Sequence, residues 1–228
     1  MDLEQHYHQL WTRSVQQFES GHFEYDTMID APVDSRRGIT LLARPPLTVR
    51  TAIEAMLSNL KASEPEQYYY PITDIHLTIL SIISCYENFS LSLIDTTQYA
   101  ALVQEVINGQ KSFKIQFRGI TASPSCLLIQ GFPLDNALKK IRNGLRQRFQ
   151  NSGLQHSIDK RYAIQTAHST VVRFRKPFIH PDDFLQKAKT YREVNFGMFD
   201  VNELELVFND WYQKTGTTTV LERFRLGE

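Results

Sequence analysis

The feature that most constrains the fold is a block of sequence that occurs twice. In the first copy, a short apolar segment stops at Pro45, a helical pattern follows, and a β-branched segment then contains His76. In the second copy, an apolar segment stops at Pro133, a helical pattern follows, and a β-branched segment over 163–174, which is expected to form a strand, contains His168. The proline and the histidine are 31 positions apart in the first copy and 35 in the second. Two copies of one strand–helix–strand unit predict two lobes related by a pseudo-twofold axis.

Patterns outside the repeated block predict additional elements. Apolar residues recur at spacings of three and four over 2–19, where Asp2 can cap a helix that packs on the main body. Residues 20–37 lack periodicity and are expected to form an irregular connector, and Pro181 opens a short helix. Alternation of apolar and polar residues predicts strands over 111–120, 201–208 and 217–226.

These elements together predict an α+β fold with largely antiparallel sheets. We expect an N-terminal helical extension and connector over 1–37 and a single domain over 38–228. Its two lobe-forming blocks cover about 38–84 and 125–175.

Composition narrows the class of protein. With 228 residues the chain can bury a substantial core, and 25 basic side chains balance 25 acidic ones, which disfavours binding of an extended nucleic-acid duplex or an anionic membrane. Cys85 and Cys126 are far apart in a chain too large to need a disulfide framework, so both are expected to be free, buried thiols. No segment has the apolar length of a signal peptide core or a membrane span, so we expect a cytoplasmic monomer with no membrane partner.

Each β-branched segment contains the same four-residue pattern, histidine, any residue, threonine, aliphatic. The two instances are His76-Leu77-Thr78-Ile79 and His168-Ser169-Thr170-Val171. Residues two apart in a strand project from the same face, so each histidine points with its threonine. The pseudo-twofold would then bring two imidazoles and two hydroxyls around one concavity.

This set of groups suits a phosphate ester. An imidazole titrates near neutrality, so one ring can remove a proton from water while the other donates a proton to the leaving oxygen. The hydroxyls of Thr78 and Thr170 would donate hydrogen bonds to the phosphate oxygens. No cluster of carboxylates or HExxH-like spacing accompanies the pair, so the scheme predicts no metal and no cofactor. The sequence does not assign which of His76 and His168 is the acid and which is the base.

On these two motifs, the chain resembles the two-histidine phosphoesterase superfamily, which includes the 2',5' RNA ligase-like (LigT) proteins and RNA cyclic phosphodiesterases. The resemblance covers about 38–226, and the extension over 1–37 exceeds what the minimal family domain needs. It implies a bilobal fold with a groove between the lobes, and a small nucleotide or RNA-end substrate. Members commonly open 2',3'-cyclic phosphates, and some act on ADP-ribose cyclic phosphate, 2',5'-linked oligonucleotides or other cyclic nucleotides. It also implies that Arg173 binds the phosphate, although strict strand alternation would aim that side chain away from the groove unless a bulge intervenes.

The sequence allows two interpretations for several other residues. Tyr68, Tyr69 and Tyr70 could form a wall for base stacking or could pack as core aromatics. A basic helix face could steer an RNA end or could be a solvated surface, and its residues are Lys139, Lys140, Arg142, Arg146 and Arg148. The remaining histidines have no threonine partner at strand spacing, and most are expected at the surface; they are His6, His8, His22, His156 and His180.

Three alternative functions remain open from the sequence. The chain could be a module that binds nucleotides or RNA ends with little catalysis, or an enzyme that degrades cyclic oligonucleotides. It could also be an interaction protein whose N-terminal helix binds a partner through Tyr7 and Trp11, although such a stripe usually packs within the same chain.

Overall fold

The structure is a computed structural model that describes residues 2–160 and 163–227. The helices of the described residues are α1 (Leu3–Glu19), α2 (Leu47–Ser63), α3 (Thr96–Ile107), α4 (Ala137–Ser152) and α5 (Pro181–Thr190). The strands are β1 (Arg36–Ala43), β2 (Tyr68–Tyr69), β3 (Leu77–Glu87), β4 (Phe113–Ser123), β5 (Cys126–Pro133), β6 (Ser169–Arg173), β7 (Asn195–Val201), β8 (Glu203–Asn209) and β9 (Thr219–Arg225). None of the described helices combines the length and the apolar character that crossing a bilayer requires.

The strands form two antiparallel sheets, so the predicted α+β class is confirmed. One sheet has the order β3-β1-β8-β9 and the other has the order β2-β6-β5-β4-β7. The two strands of the first repeated block, β1 and β3, are neighbours in one sheet, and those of the second, β5 and β6, are neighbours in the other. Each sheet therefore contributes one histidine motif.

A β-bulge occurs at the same motif position in both sheets. Leu41 and Leu42 of β1 pair with Leu80 and Thr78, so Ile79 is an extra residue in β3. In the same way, the pairing of β5 with Thr170 and Val172 leaves Val171 as an extra residue in β6. An extra residue reverses the alternation of faces beyond it. Side chains three positions after each motif threonine therefore return to the face of that threonine.

The N-terminal helix packs within the chain, as predicted. The Asp2 carboxylate accepts hydrogen bonds from the backbone amides at the start of α1. Trp11 and Phe18 belong to the hydrophobic core. The Ser14 hydroxyl donates to the carbonyl of Ala122 on β4 over 3.0 Å. Burial of aromatic side chains in the chain's own core leaves little of this helix face for a partner.

Three features differ from the sequence prediction. The second histidine strand was expected over 163–174, but β6 begins only at Ser169, because side chains rather than a neighbouring strand bind the backbone before it. Helix α3 was not predicted, although Asp95 caps it. Strand β7 was also not predicted, since Gly197 with a φ of 125° interrupts its alternation.

Candidate active site

A cavity lies where the two histidine segments face each other. Its wall includes side chains from both sheets and from the loop over 210–218. It contains all five residues proposed from the sequence, namely His76, Thr78, His168, Thr170 and Arg173. The fold therefore brings together residues that are up to 97 positions apart in the chain.

His76 lies immediately before β3 and is held by the backbone. Its Nδ1 is 2.7 Å from the carbonyl oxygen of Asp74. Since a carbonyl oxygen can only accept, Nδ1 carries the proton, and Nε2 of the neutral ring is left as an acceptor. The Asp74 carboxylate in turn accepts hydrogen bonds from the hydroxyls of Thr73 and Thr215. The neutral form of His76 is thus oriented as a proton acceptor.

His168 has a different partner. Its Nδ1 is 2.6 Å from the hydroxyl oxygen of Thr166, which is buried. A hydroxyl can donate as well as accept, so His168 can place its proton on either nitrogen. The two rings are therefore not equivalent, although their motifs are.

Both histidines have a lowered pKa. Burial lowers the pKa of His76 to about 4, and the positive charges of Arg44 and Arg173 contribute. Burial also lowers the pKa of His168 to about 4, with contributions from Arg142 and from His76. Burial and nearby cations both disfavour the protonated ring. Both rings are consequently neutral at pH 7.

Arg173 reaches the cavity because of the bulge at Val171, the condition that the sequence left open. Its Nε donates to the hydroxyl of Tyr70 over 2.9 Å, and its guanidinium lies 3.7 Å from the carboxylate of Asp26. It also lies over the ring of Tyr212, 5.4 Å from the centroid. These contacts hold the charge at the cavity wall.

The aromatic wall proposed from the sequence is reduced to one residue. Tyr70 lines the cavity and is buried. Tyr68 and Tyr69 form β2, which pairs with β6, so they belong to the sheet edge. The interpretation as packed aromatics holds for these two residues.

The basic face of α4 is not a uniformly solvated surface. Arg142 is 3 % exposed and binds three backbone carbonyls within the two motif regions. Arg146 pairs with Asp159. A cation between Leu138 and Leu145 on the apolar stripe of this helix was the sequence signal that Arg142 is buried.

The remaining titratable residues lie mostly outside the cavity. His8, His22 and His180 are exposed, whereas His6 and His156 are partly buried. Both cysteines are free thiols, as predicted. Cys85 lines the cavity, and burial raises the pKa of its thiol to about 12, so it is not an activated nucleophile. Within the described residues, no group of three or more histidines, cysteines and acidic residues could hold a metal ion.

Comparison with known proteins depends on structure alone, since no family model and no curated protein matches the sequence. TT0787 of Thermus thermophilus superposes with a TM-score of 0.60 and 20 % identity, over 84 % of this chain and 99 % of that one. E. coli LigT complexed with 3'-AMP superposes with a TM-score of 0.56 and 14 % identity, over 85 % of this chain and 99 % of that one. The chain has the LigT-like fold. Another solved structure with this fold is described as a phosphoesterase, with a TM-score of 0.56 and 17 % identity, over 85 % of this chain and 99 % of that one.

The LigT-like fold confirms the resemblance drawn from the two motifs at the level of architecture. E. coli LigT has also been crystallised with ATP and with phosphate. At identities of 14–20 % these likenesses establish the fold alone.

Proposed function

We propose that the chain is a metal-independent phosphodiesterase that hydrolyses a 2',3'-cyclic phosphate on a nucleotide or an RNA end. The observation that supports this proposal is the pair of motif histidines at one cavity, His76 and His168, with Thr78, Thr170 and Arg173 beside them. The neutral state of both rings and their different hydrogen-bond partners suit acid–base work on one substrate.

In the proposed reaction, one imidazole removes a proton from water as the water oxygen attacks phosphorus. The bond from phosphorus to the 3'-oxygen breaks, the second imidazole gives a proton to that oxygen, and the product carries a 2'-phosphate. The negative charge of the bound phosphate raises the pKa of the adjacent ring, which supplies the acid form that the free protein lacks at pH 7. Thr78, Thr170 and Arg173 would stabilise the charge on the non-bridging oxygens.

The test uses single substitutions of the two histidines. His76→Ala and His168→Ala are each expected to lower kcat by roughly 10²-fold to 10⁴-fold on 2',3'-cyclic nucleotides. His180→Ala is the matched control, because His180 is exposed and its side chain caps no helix. Circular dichroism of each variant would verify folding. EDTA is expected to leave the rate unchanged.

Three results would contradict this proposal. Retention of near-wild-type kcat by either His76→Ala or His168→Ala would refute the two-histidine mechanism. Tight binding of cyclic nucleotides without product after long incubation would favour a binding module. Strong inhibition by EDTA would refute the metal-independent scheme.

A further inference from the structure

Two side-chain amides at the cavity wall have oxygens without a partner. Asn209 is 2 % exposed and Gln213 is 7 % exposed, and both line the cavity. Within residues 2–160 and 163–227, Asn209 Oδ1 and Gln213 Oε1 accept no hydrogen bond and are shielded from water. A buried acceptor without a donor costs about 1–3 kcal/mol. Two such acceptors on one wall indicate that a donor belongs there.

The orientation of the Asn209 amide is determined by its nitrogen. Nδ2 donates to the carbonyl oxygen of Asp210 over 2.7 Å and is 3.6 Å from Sγ of Cys85. Exchanging the nitrogen and oxygen positions would bring two oxygens together at Asp210 and break that bond. The free atom at this position is therefore an acceptor.

The segment over 209–214, which carries both amides, is held by hydrogen bonds. The Asp210 carboxylate accepts hydrogen bonds from the backbone amides of Tyr212 and Lys214, at 3.0 and 3.1 Å. Gln213 adopts a φ of 61°, a left-handed conformation that few residues other than glycine and asparagine favour. A strained backbone persists only where surrounding contacts hold it, and such residues concentrate at functional sites.

An aromatic side chain lies between the two amides in the sequence. Trp211 lines the same cavity, with the guanidinium of Arg36 over its ring at 5.2 Å from the centroid, and an indole is a side chain on which a planar ring can stack. The phosphate-binding candidate Arg173 lines this cavity as well. The wall of one cavity thus contains a cation for an anion, an indole for a ring and two amides whose oxygens have no hydrogen-bond donor.

We propose that Asn209 and Gln213 form a subsite that selects nucleobases by the exocyclic amino group that adenine carries on C6 and cytosine carries on C4. Adenine and cytosine present two N–H donors there, whereas hypoxanthine and uracil present a carbonyl oxygen that would face the amide oxygens. Because both oxygens are shielded from water, side chains at the cavity wall must shift for the base to reach them. This inference rests on the proposed function, whose substrate class it narrows to adenine- or cytosine-containing nucleotides.

The experiment compares substrates that differ only in this group. These are the 2',3'-cyclic phosphates of adenosine and inosine, and those of cytidine and uridine. We expect kcat/KM to favour each amino base by roughly tenfold to a hundredfold. Because the ribose is identical within each pair, binding of the amide oxygens to a hydroxyl donor on the sugar would give the same kcat/KM for both members of the pair. Ratios within threefold for both pairs would overturn the subsite.

Measurements of nucleotide binding distinguish a failure of the subsite from a failure of the proposed function. Dissociation constants of the 3'-monophosphates of the same four nucleosides would be measured for the wild type by calorimetry. If no cyclic phosphate is hydrolysed, the proposed function fails, but a Kd ratio of tenfold or more for amino bases would still support the subsite. Equal Kd values would overturn it.

Variants test the two residues directly. Gln213→Asn shortens the amide while tolerating the left-handed backbone, and Asn209→Leu removes the second acceptor. In each variant the ratio of kcat/KM for the amino base to kcat/KM for the carbonyl base is expected to fall toward one. Gln186→Asn, at an exposed position of α5, is the matched control. An unchanged ratio in both variants would refute the assignment.

Discussion

Replacing Arg142 should damage stability and catalysis together, because this side chain bridges the two histidine segments. Its Nη2 donates to the carbonyls of Thr78 and Thr166, each over 2.9 Å, and its Nε donates to that of Ile79 over 2.8 Å. Ile79 is the bulged residue of β3. The guanidinium therefore stabilises the bulge of the first motif and the strand-free segment before His168.

The magnitude follows from these three bonds. A hydrogen bond to a charged group contributes about 1.5–3 kcal/mol to stability. Burial of the guanidinium costs several kcal/mol, and a variant without the guanidinium no longer has this cost. For Arg142→Met we therefore expect a net loss of about 3 kcal/mol in the free energy of unfolding. Displacement of catalytic groups by roughly 1 Å can cost about 10²-fold in rate, so kcat should fall by that order.

Equilibrium unfolding in urea and steady-state kinetics, well below the Tm of the variant, would measure the two effects. Arg142→Lys keeps the charge that lowers the pKa of His168 but loses the fork geometry, so its kcat should also fall. Arg148→Met is the control on the same helix, because Arg148 is exposed. A kcat of Arg142→Met within threefold of the wild type would refute the positioning role, whatever its stability.

Two further predictions concern the N-terminal helix and pH. Tyr7→Phe removes the hydroxyl that accepts hydrogen bonds from the backbone amides of Gly131 and Ala167, each at 3.3 Å. We therefore expect the free energy of unfolding, measured in urea, to fall by about 1–2 kcal/mol, and kcat to fall as well. If both values were unchanged, α1 would not support His168. The pKa of His76 is about 4 in the folded chain and 6.5 for a histidine in the unfolded chain, so the unfolded chain binds more protons between these two pH values. The free energy of unfolding should therefore fall as pH decreases through this window. The stability difference between wild type and His76→Gln should vary with pH there, and a constant difference would contradict the lowered pKa.

The sequence predicted the features that depend on local pattern. Apolar spacing and the N-cap of Asp2 predicted α1, and the repeated proline and histidine blocks predicted two equivalent strand pairs. These signals are legible because the periods of helix and strand are imposed by backbone geometry that every residue shares. The two motif histidines were proposed as site residues for the same reason, since their threonines lie at strand spacing.

The tertiary structure decided the features that depend on distant partners. Alternation alone would aim Arg173 away from the groove, and the bulge at Val171 that reverses this depends on pairing with β5. In the sequence, Arg142 is one of five cations on a basic helix face; in the structure, it is buried against the two motif segments. Asn209 and Gln213 belong to no sequence motif. Whether the oxygen of a side-chain amide has a hydrogen-bond donor depends on the residues that the fold places around it, so the sequence alone could not single out these two residues.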